Sequence, residues 1–258
     1  MEPADYADLY ELEEEYWWFV GMREITAALL DQACPPDRDR LILDAGCGTG
    51  GMLSWLTRYS GNGRILGIDL VDTALTFCRR RNHDMLARAS VQNLPFAESS
   101  VDLLTSFDVL VQLEDKQSDE SAIREMYRVL KPGGLAFVRV AAHEWMKSGH
   151  DDSLGTTHRY SLKELVTKMK QAGFEIRRET YANSLPMPLA MVRRLVLKRI
   201  GLASPGSDVK PLPSGWQWLN TALIGMLKAE ANWLRRPDSK LFMGLSAICV
   251  ARKPFQSP

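Results

Sequence analysis

The chain has 258 residues, 45% of them hydrophobic and 25% charged, with 32 Lys or Arg against 32 Asp or Glu. That length suits one large domain, with or without a cap, and the composition excludes disordered, collagen-like and fibrous classes. A net charge of zero excludes a global pull towards nucleic acid. Cys34, Cys47, Cys78 and Cys249 are scattered with no CxxC pair. Neither a disulfide framework nor a zinc-finger spacing is expected, and the chain reads as one of a reducing compartment. Residues 1–15 are acidic without an apolar signal core, and no run of about 18 apolar residues exists. These features predict a cytoplasmic protein with no transmembrane segment.

In chain order, residues 6–31 predict a helix with Ile25, Ala28 and Leu29 on one face. It ends at Cys34-Pro35-Pro36, since proline cannot continue a helix. A strand–helix alternation follows: strand 41–45, helix 52–59, strand 64–69, helix 73–81, a short strand end at 88–91 and a buried strand 101–107. Ile123, Met126, Tyr127 and Leu130 form an i, i+3, i+4, i+7 helix stripe, broken by Pro132-Gly133-Gly134 before a strand at 135–141. Ser161-Leu162-Lys163-Glu164 is a capping box that opens another helix, and residues 174–181 return as a strand. Short apolar strands alternating with amphipathic helices predict a doubly wound, parallel α/β sheet.

Residues 183–240 are too long for a simple connection. They read as a helical insertion: a basic-apolar helix at 189–200, a Pro/Gly/Ser linker at 201–215 and a helix at 216–234, before a last strand at 244–252. In the second helix Trp216, Leu219, Leu223, Met226, Leu227 and Leu234 form an apolar stripe, read as packing onto the sheet domain or lining an apolar pocket. The basic helix 189–200 spreads Arg193, Arg194, Lys198 and Arg199 too widely for a clean membrane-binding face. A solvated cap is the reading there, with membrane-surface contact as the alternative. The expected division is 1–36 as lid helices, 37–182 as core, 183–240 as cap and 241–258 as the final core strand.

The loop Asp44-Ala45-Gly46-Cys47-Gly48-Thr49-Gly50-Gly51 follows a strand and opens a helix. Glycines let the backbone approach a ligand, and a helix N-terminus presents free N–H groups. Asp69 ends the second strand, 23 residues after Gly46, where a carboxylate can accept both hydroxyls of a ribose. Gly46, Gly48 and Gly51 also satisfy the dinucleotide fingerprint, so this spacing alone leaves a nicotinamide enzyme open.

Asp44-x-Gly46-x-Gly48-x-Gly50 resembles motif I of the class I S-adenosylmethionine-dependent methyltransferases. Gly67-Ile68-Asp69-Leu70, Ser90-Val91-x-x-Leu94-Pro95-Phe96 with Ser100-Val101-Asp102, and Arg128-Val129-Leu130-Lys131-Pro132-Gly133-Gly134 resemble later motifs in the same order. The resemblance covers residues 40–141 and implies a Rossmann-like sheet binding S-adenosylmethionine. It implies that Gly46 and Gly48 pass under the methionine end, that Asp44 orients the loop, and that Asp69 takes the ribose. Leu70 and Val91 would then flank the adenine, with Ser90 at its edge, a position where many relatives carry Asp. Ser106 and Phe107 end the fourth strand, where the transferred methyl points.

Glu15-Tyr16-Trp17-Trp18-Phe19-x-x-x-Arg23 resembles the N-terminal signature of a small-molecule, methyltransferase type 11-like subgroup. It implies a lid in which Trp18 closes over the cofactor and Arg23 pairs with its carboxylate. Adjacent tryptophans diverge by about 100° on a helix, so they cannot both face the core. Three of the four histidines, His143, His150 and His158, follow the fifth strand, at the sheet edge where open α/β folds bind ligands. In one reading His150 or His158, oriented by Asp151, is a general base, with Tyr160 beside it. In a second, the segment only shapes the pocket while transfer runs on alignment. In a third it ligates a metal, but its spacings match no compact ligand motif, so no metal is expected.

The expected function is methyl transfer to a hydroxyl or amine of a small-molecule, glycan or natural-product acceptor, to which the apolar stripe of 216–234 adds an apolar part, and not to nucleic acid. Alternatives are a lipid or quinone methyltransferase at the membrane surface, an NAD-dependent oxidoreductase and an inactive cofactor-binding module.

Overall fold

The computed structural model describes residues 3–35, 38–192 and 215–255. Its centre is a seven-stranded sheet in the order β3-β2-β1-β4-β5-β7-β6. The strands are β1 (Leu41–Ala45), β2 (Arg64–Asp69), β3 (Leu86–Arg88), β4 (Val101–Phe107), β5 (Leu130–Ala141), β6 (Glu175–Ala182) and β7 (Ser246–Arg252). β1 and β4 lie centrally, and their apolar side chains are buried on both faces, as a sheet covered by helices on both sides requires. The register Asp44↔Thr105 sets the floor of the later site.

The helices are α1 (Pro3–Glu15), α2 (Trp17–Leu30), α3 (Gly51–Leu56), α4 (Asp72–Arg80), α5 (Lys116–Val129), α6 (Gly149–Leu154), α7 (Leu162–Gln171), α8 (Met187–Met191) and α9 (Gln217–Leu234). α5 and α7 cover one face of the sheet through Ile123, Met126, Leu165 and Met169. α2 and α9 cover the other, with Ile25, Leu29, Leu227 and Leu234 packed against Phe137, Ile248 and Val250.

Several details depart from the sequence expectations. The sheet is mixed: β7 is antiparallel to both β5 and β6. The insertion leaves β6 at the carboxyl edge and returns the chain at that same edge, so the last strand must run downwards. The predicted helix over 6–31 is two helices separated at Tyr16, whose backbone is extended. Asn220 of α9 fills the break: its Nδ2 donates to the Glu15 carbonyl at 3.0 Å and its Oδ1 accepts from Trp17 N–H at 2.8 Å. α2 is built into the core, and α1 is the part that overlies the glycine loop. β5 starts at Leu130 rather than 135, and β3 spans Leu86–Arg88 rather than 88–91. Along the predicted stripe, Leu223, Leu227 and Leu234 of α9 point inward as expected, but Met226 and Trp216, which precedes the helix, are exposed. Of the predicted helix 189–200, residues 193–200 lie outside the described residues, as does nearly all of the 201–215 linker.

Gly21 lies where α9 crosses α2. A Cβ there would come within 2.6 Å of Leu227 Cβ and 2.8 Å of its Cγ, so more than a flexible tip must move. Alanine gains up to about 1 kcal/mol of helix propensity, whereas overpacking costs about 1–3 kcal/mol. Gly21→Ala is therefore expected to lower stability in urea unfolding, against its propensity; an unchanged or raised midpoint would contradict this packing.

Candidate active site

The loop after β1 closes against β2. Gly46 and Cys47 N–H both donate to the Ile68 carbonyl, at 2.9 and 2.8 Å. Gly46, Gly48 and Gly50 have φ of +89°, +53° and +89°, which favour glycine. At Gly46 a Cβ would meet Val109 Cγ2 at 2.2 Å, whereas at Gly48 it would point into open space. Beside that opening, the Asp69 carboxylate accepts from Gly48 N–H at 3.0 Å and Val71 N–H at 2.9 Å. Leu70 next to it is 55% exposed, an apolar side chain left on the rim. Ser90 follows β3 and its Oγ accepts from Gln92 N–H at 3.2 Å, while Val91 is buried behind it.

Asp44 is fully buried under the loop, and its Oδ1 accepts from Thr105 Oγ1 at 2.7 Å. Burial pushes its carboxyl up to about 7, against the Thr105 hydrogen bond and the Arg139 charge. Ser106, one residue on, is buried with its hydroxyl unpartnered among the described residues.

α1 bears on this loop through residues the sequence did not flag. Glu13 Oε2 accepts from Gly51 N–H at 3.0 Å, satisfying a free donor at the start of α3. Burial raises the Glu13 carboxyl even though Arg81 lies beside it. Arg81 gathers the whole corner: Nη2 reaches the Tyr10 carbonyl at 2.7 Å and Glu13 at 3.2 Å, Nε donates to the Thr49 carbonyl at 3.1 Å, and Nη1 pairs with Glu14. Arg23, predicted to face the cofactor carboxylate, donates to the Glu14 carbonyl at 2.7 Å.

Beyond β4 lies a second cluster. Arg139 of β5 is almost wholly buried, a cation inside an otherwise apolar strand. Its Nε and Nη2 donate to Asp108 Oδ2 at 3.0 and 2.8 Å. Its guanidinium lies 4.8 Å from the Trp18 ring centre and 4.9 Å from that of Phe107. Asp108 has φ +58°, the left-handed region, immediately after β4. Trp17 and Trp18 are both half-buried, so neither is a pure core anchor. The sequence signal for this cluster was Arg139 itself, a charge in the run Leu-Ala-Phe-Val-Arg-Val-Ala; its partner Asp108 carried none.

The 143–160 segment is organised differently from the base reading. His158 is held by carboxylates on both ring nitrogens, Nδ1 3.3 Å from Glu144 and Nε2 3.0 Å from Glu164. Asp151 faces Arg159, not a histidine: its Oδ1 accepts from Arg159 Nε at 2.6 Å, and both side chains are buried. The Tyr160 hydroxyl donates to Asp119 at 2.6 Å, and Lys168 completes that group at 2.9 Å. Burial and the Asp119 carboxylate raise the Tyr160 hydroxyl well above its ordinary value. His150 lies in α6, and its side chain is outside the described residues. Among the described residues, no group of three His, Cys, Asp or Glu is placed to hold a metal.

Because burial pushes the Asp44 carboxyl from its ordinary 3.8 up to about 7, the protonated form is favoured in the fold, and the wild type loses stability as pH rises from about 4 to about 7. Asp44→Asn keeps an acceptor for Thr105 and removes that loss. The variant should gain on the wild type across this window, by a few kcal/mol at most, and hold a constant lead above it. Thermal melts of the unliganded protein at several pH values check this; parallel pH curves would contradict it.

Residues 43–138 match the family model described as a methyltransferase domain. A probable S-adenosylmethionine-dependent methyltransferase of Mycolicibacterium smegmatis is 29% identical over 168 residues, 64% of this chain and 62% of that protein. The malonyl-[acyl-carrier protein] O-methyltransferase of Enterobacter lignolyticus is 38% identical over 112 residues, 42% of each chain. The chain thus spans less than two thirds of these curated relatives. Among solved structures, a methyltransferase in complex with the Haloferax volcanii Trm112 activator superposes with a TM-score of 0.62 at 18% identity, over 98% of this chain and 96% of that one. Residues 43–138 therefore match the methyltransferase domain, and the sheet built around them has the Rossmann-like fold of class I methyltransferases.

Proposed function

We propose that this chain moves a methyl group from S-adenosylmethionine to a hydroxyl or amine of a small acceptor. The observation that carries the reading is the cradle at Gly48: an open backbone approach bordered by Asp69 and the exposed Leu70. S-adenosylmethionine supplies a methyl on a positively charged sulfur, which a nucleophile takes in line as the sulfur leaves. On this reading Asp69 binds the ribose hydroxyls, and Leu70, Ser90 and Val91 flank the adenine. Asp44, Gly46 and Ser106 surround the methionine end. Arg23 would need to leave the Glu14 carbonyl to reach a carboxylate.

For the acceptor side we favour Asp108 over His158 as the base; the His150 side chain lies outside the described residues. Both ring nitrogens of His158 are engaged, and Asp151 is committed to Arg159. Asp108 follows β4, and Arg139 binds only its Oδ2. Among the described residues Oδ1 is left to accept a hydrogen bond from an acceptor O–H or N–H. Trp18 and Phe107 flank the Arg139 guanidinium that holds Asp108. A positioned carboxylate of this kind contributes about 10²–10⁴-fold where it takes the proton.

Incubation with methyl-labelled S-adenosylmethionine and a host extract tests the activity, with Asp69→Ala as control. Label in a small product, lost in the control, is expected. Titration with S-adenosylhomocysteine and with NAD separates the oxidoreductase, and absence of any product would favour the silent module. Once an acceptor is found, Asp108→Asn should lower kcat by about a hundredfold or more, whereas His158→Gln should leave it within a few-fold. The reverse pattern would restore the histidine.

A second expectation concerns pH. Asp44 faces Arg139, Glu13 and Asp69, and it ionises near 7 in the free protein. A cationic ligand favours the ionised form. Affinity for S-adenosylmethionine should therefore fall as pH drops below about 7, by at most about tenfold per unit, and affinity for the uncharged-sulfur product should fall less. Calorimetric titrations of both ligands across that range decide it; equal slopes would remove Asp44 from the methionine end.

A further inference from the structure

The insertion exposes apolar side chains that the methyl-transfer reading does not use. On α9, Trp218, Ala222, Met226, Ala229 and Trp233 are all exposed and fall within an arc of about 80° on the helix. The opposite face, Leu223, Leu227, Ala231 and Leu234, is already buried against α2 and the sheet. Next to the helix end, Phe242 is 82% exposed and Met243 lies beside it. On α8 and its approach, Leu185 and Leu189 are also exposed.

These groups belong to one body. Glu230 of α9 is buried and accepts from the N–H groups of Asn183, Ser184 and Leu185, at 2.6, 2.9 and 3.2 Å. Ser184 Oγ donates to the Met243 carbonyl. Cations stand among the exposed rings: Arg236 lies 4.8 Å from the Trp233 centre, and Lys240 Nζ lies 5.7 Å from that of Phe242. Among the described residues of 183–243, the exposed Lys228, Arg235, Arg236 and Lys240 stand against two acids, Asp238 and the buried Glu230.

We infer that this face docks on the interfacial zone of an anionic lipid bilayer. Tryptophans at both ends of an apolar stripe, with adjacent cations, suit a helix lying in the headgroup region. The exposed Lys228, Arg235, Arg236 and Lys240 complement anionic headgroups. Aliphatic Leu185, Leu189 and Met226 among the rings argue against a nucleic-acid surface, where stacking aromatics would carry the contact. The inner face of α9 is occupied, so the helix lies on the surface; no described helix is long and apolar enough to cross a membrane.

The test is co-sedimentation of the full chain with phosphatidylcholine vesicles and with equimolar phosphatidylcholine and phosphatidylglycerol vesicles. The wild type should bind the anionic vesicles, with much weaker binding to phosphatidylcholine alone and a loss of binding at high salt. Trp218→Ser, Trp233→Ser and Phe242→Ser together should lower the partition at least about tenfold. Lys228→Gln, Arg236→Gln and Lys240→Gln should lower it about fivefold each. Unchanged melting and S-adenosylhomocysteine titration show that the variants remain folded, and vesicle binding is read without any methyl transfer. Failure of the wild type to bind either vesicle overturns the inference. So does binding that survives both sets of substitutions, and so does a patch that instead mediates self-association or RNA binding lost in the same variants.

Discussion

Burial raises the carboxyls of Glu13, Asp44 and Asp69 together, and all three surround a single glycine loop. Asp44 also feels the other two, so the acids oppose one another's ionisation. Two arginines make the arrangement tenable. Arg81 ties α1 to the loop on one side, and Arg139 carries its charge to Asp44 from the other. Each has its own aromatic support, Tyr10 for Arg81 and Trp18 with Phe107 for Arg139. The loop is thus flanked by three desolvated acids with an arginine on either side, a setting in which charges interact more strongly than in water.

The parts legible in sequence were those whose partners lie close along the chain. The glycine loop and the Asp69 strand end are local patterns, and each recurs in space where its spacing implied. The alternation of apolar strands with amphipathic helices was equally plain, because buried central strands must be apolar on both faces. What escaped depends on pairs separated in sequence. Glu13 and Gly51 meet across 38 positions, and Arg139 and Asp108 across 31. No periodicity reports such a meeting. Strand direction escaped for a related reason: an apolar run looks the same whichever way it runs, so only the edge at which the insertion returns the chain fixes β7 as antiparallel.

In the 143–160 segment, residues close along the chain are held by different partners. Residues 143–160 leave β5 and return to pair Ala142 with Tyr160. An excursion that buries backbone must satisfy its own polar groups. Asp151 with Arg159, and Tyr160 with Asp119 and Lys168, do so from buried positions. Arg159 also donates to the Ala142 carbonyl at 3.0 Å, closing the base of the excursion. Polar residue types suited to acid–base work are equally suited to holding a loop, and the choice between them rests on where each side chain points.

α9 links the two ends of the molecule's work. Its Asn220 bridges the Glu15 carbonyl and the Trp17 N–H, which are the groups left open where α1 gives way to α2. Glu13, which caps α3 beside the glycine loop, lies two residues before that bridge, and Trp18, which stacks on Arg139, lies one residue after it. One asparagine therefore ties together the end of α1, which meets the glycine loop, and the start of α2, which meets the Asp108–Arg139 cluster. The segment carrying this asparagine also bears the exposed apolar face and the exposed cations Lys228, Arg235, Arg236 and Lys240. The position of α9 on its outer side and the alignment of the site's two walls are thus set by the same rigid helix, through contacts that a change at either end would have to break.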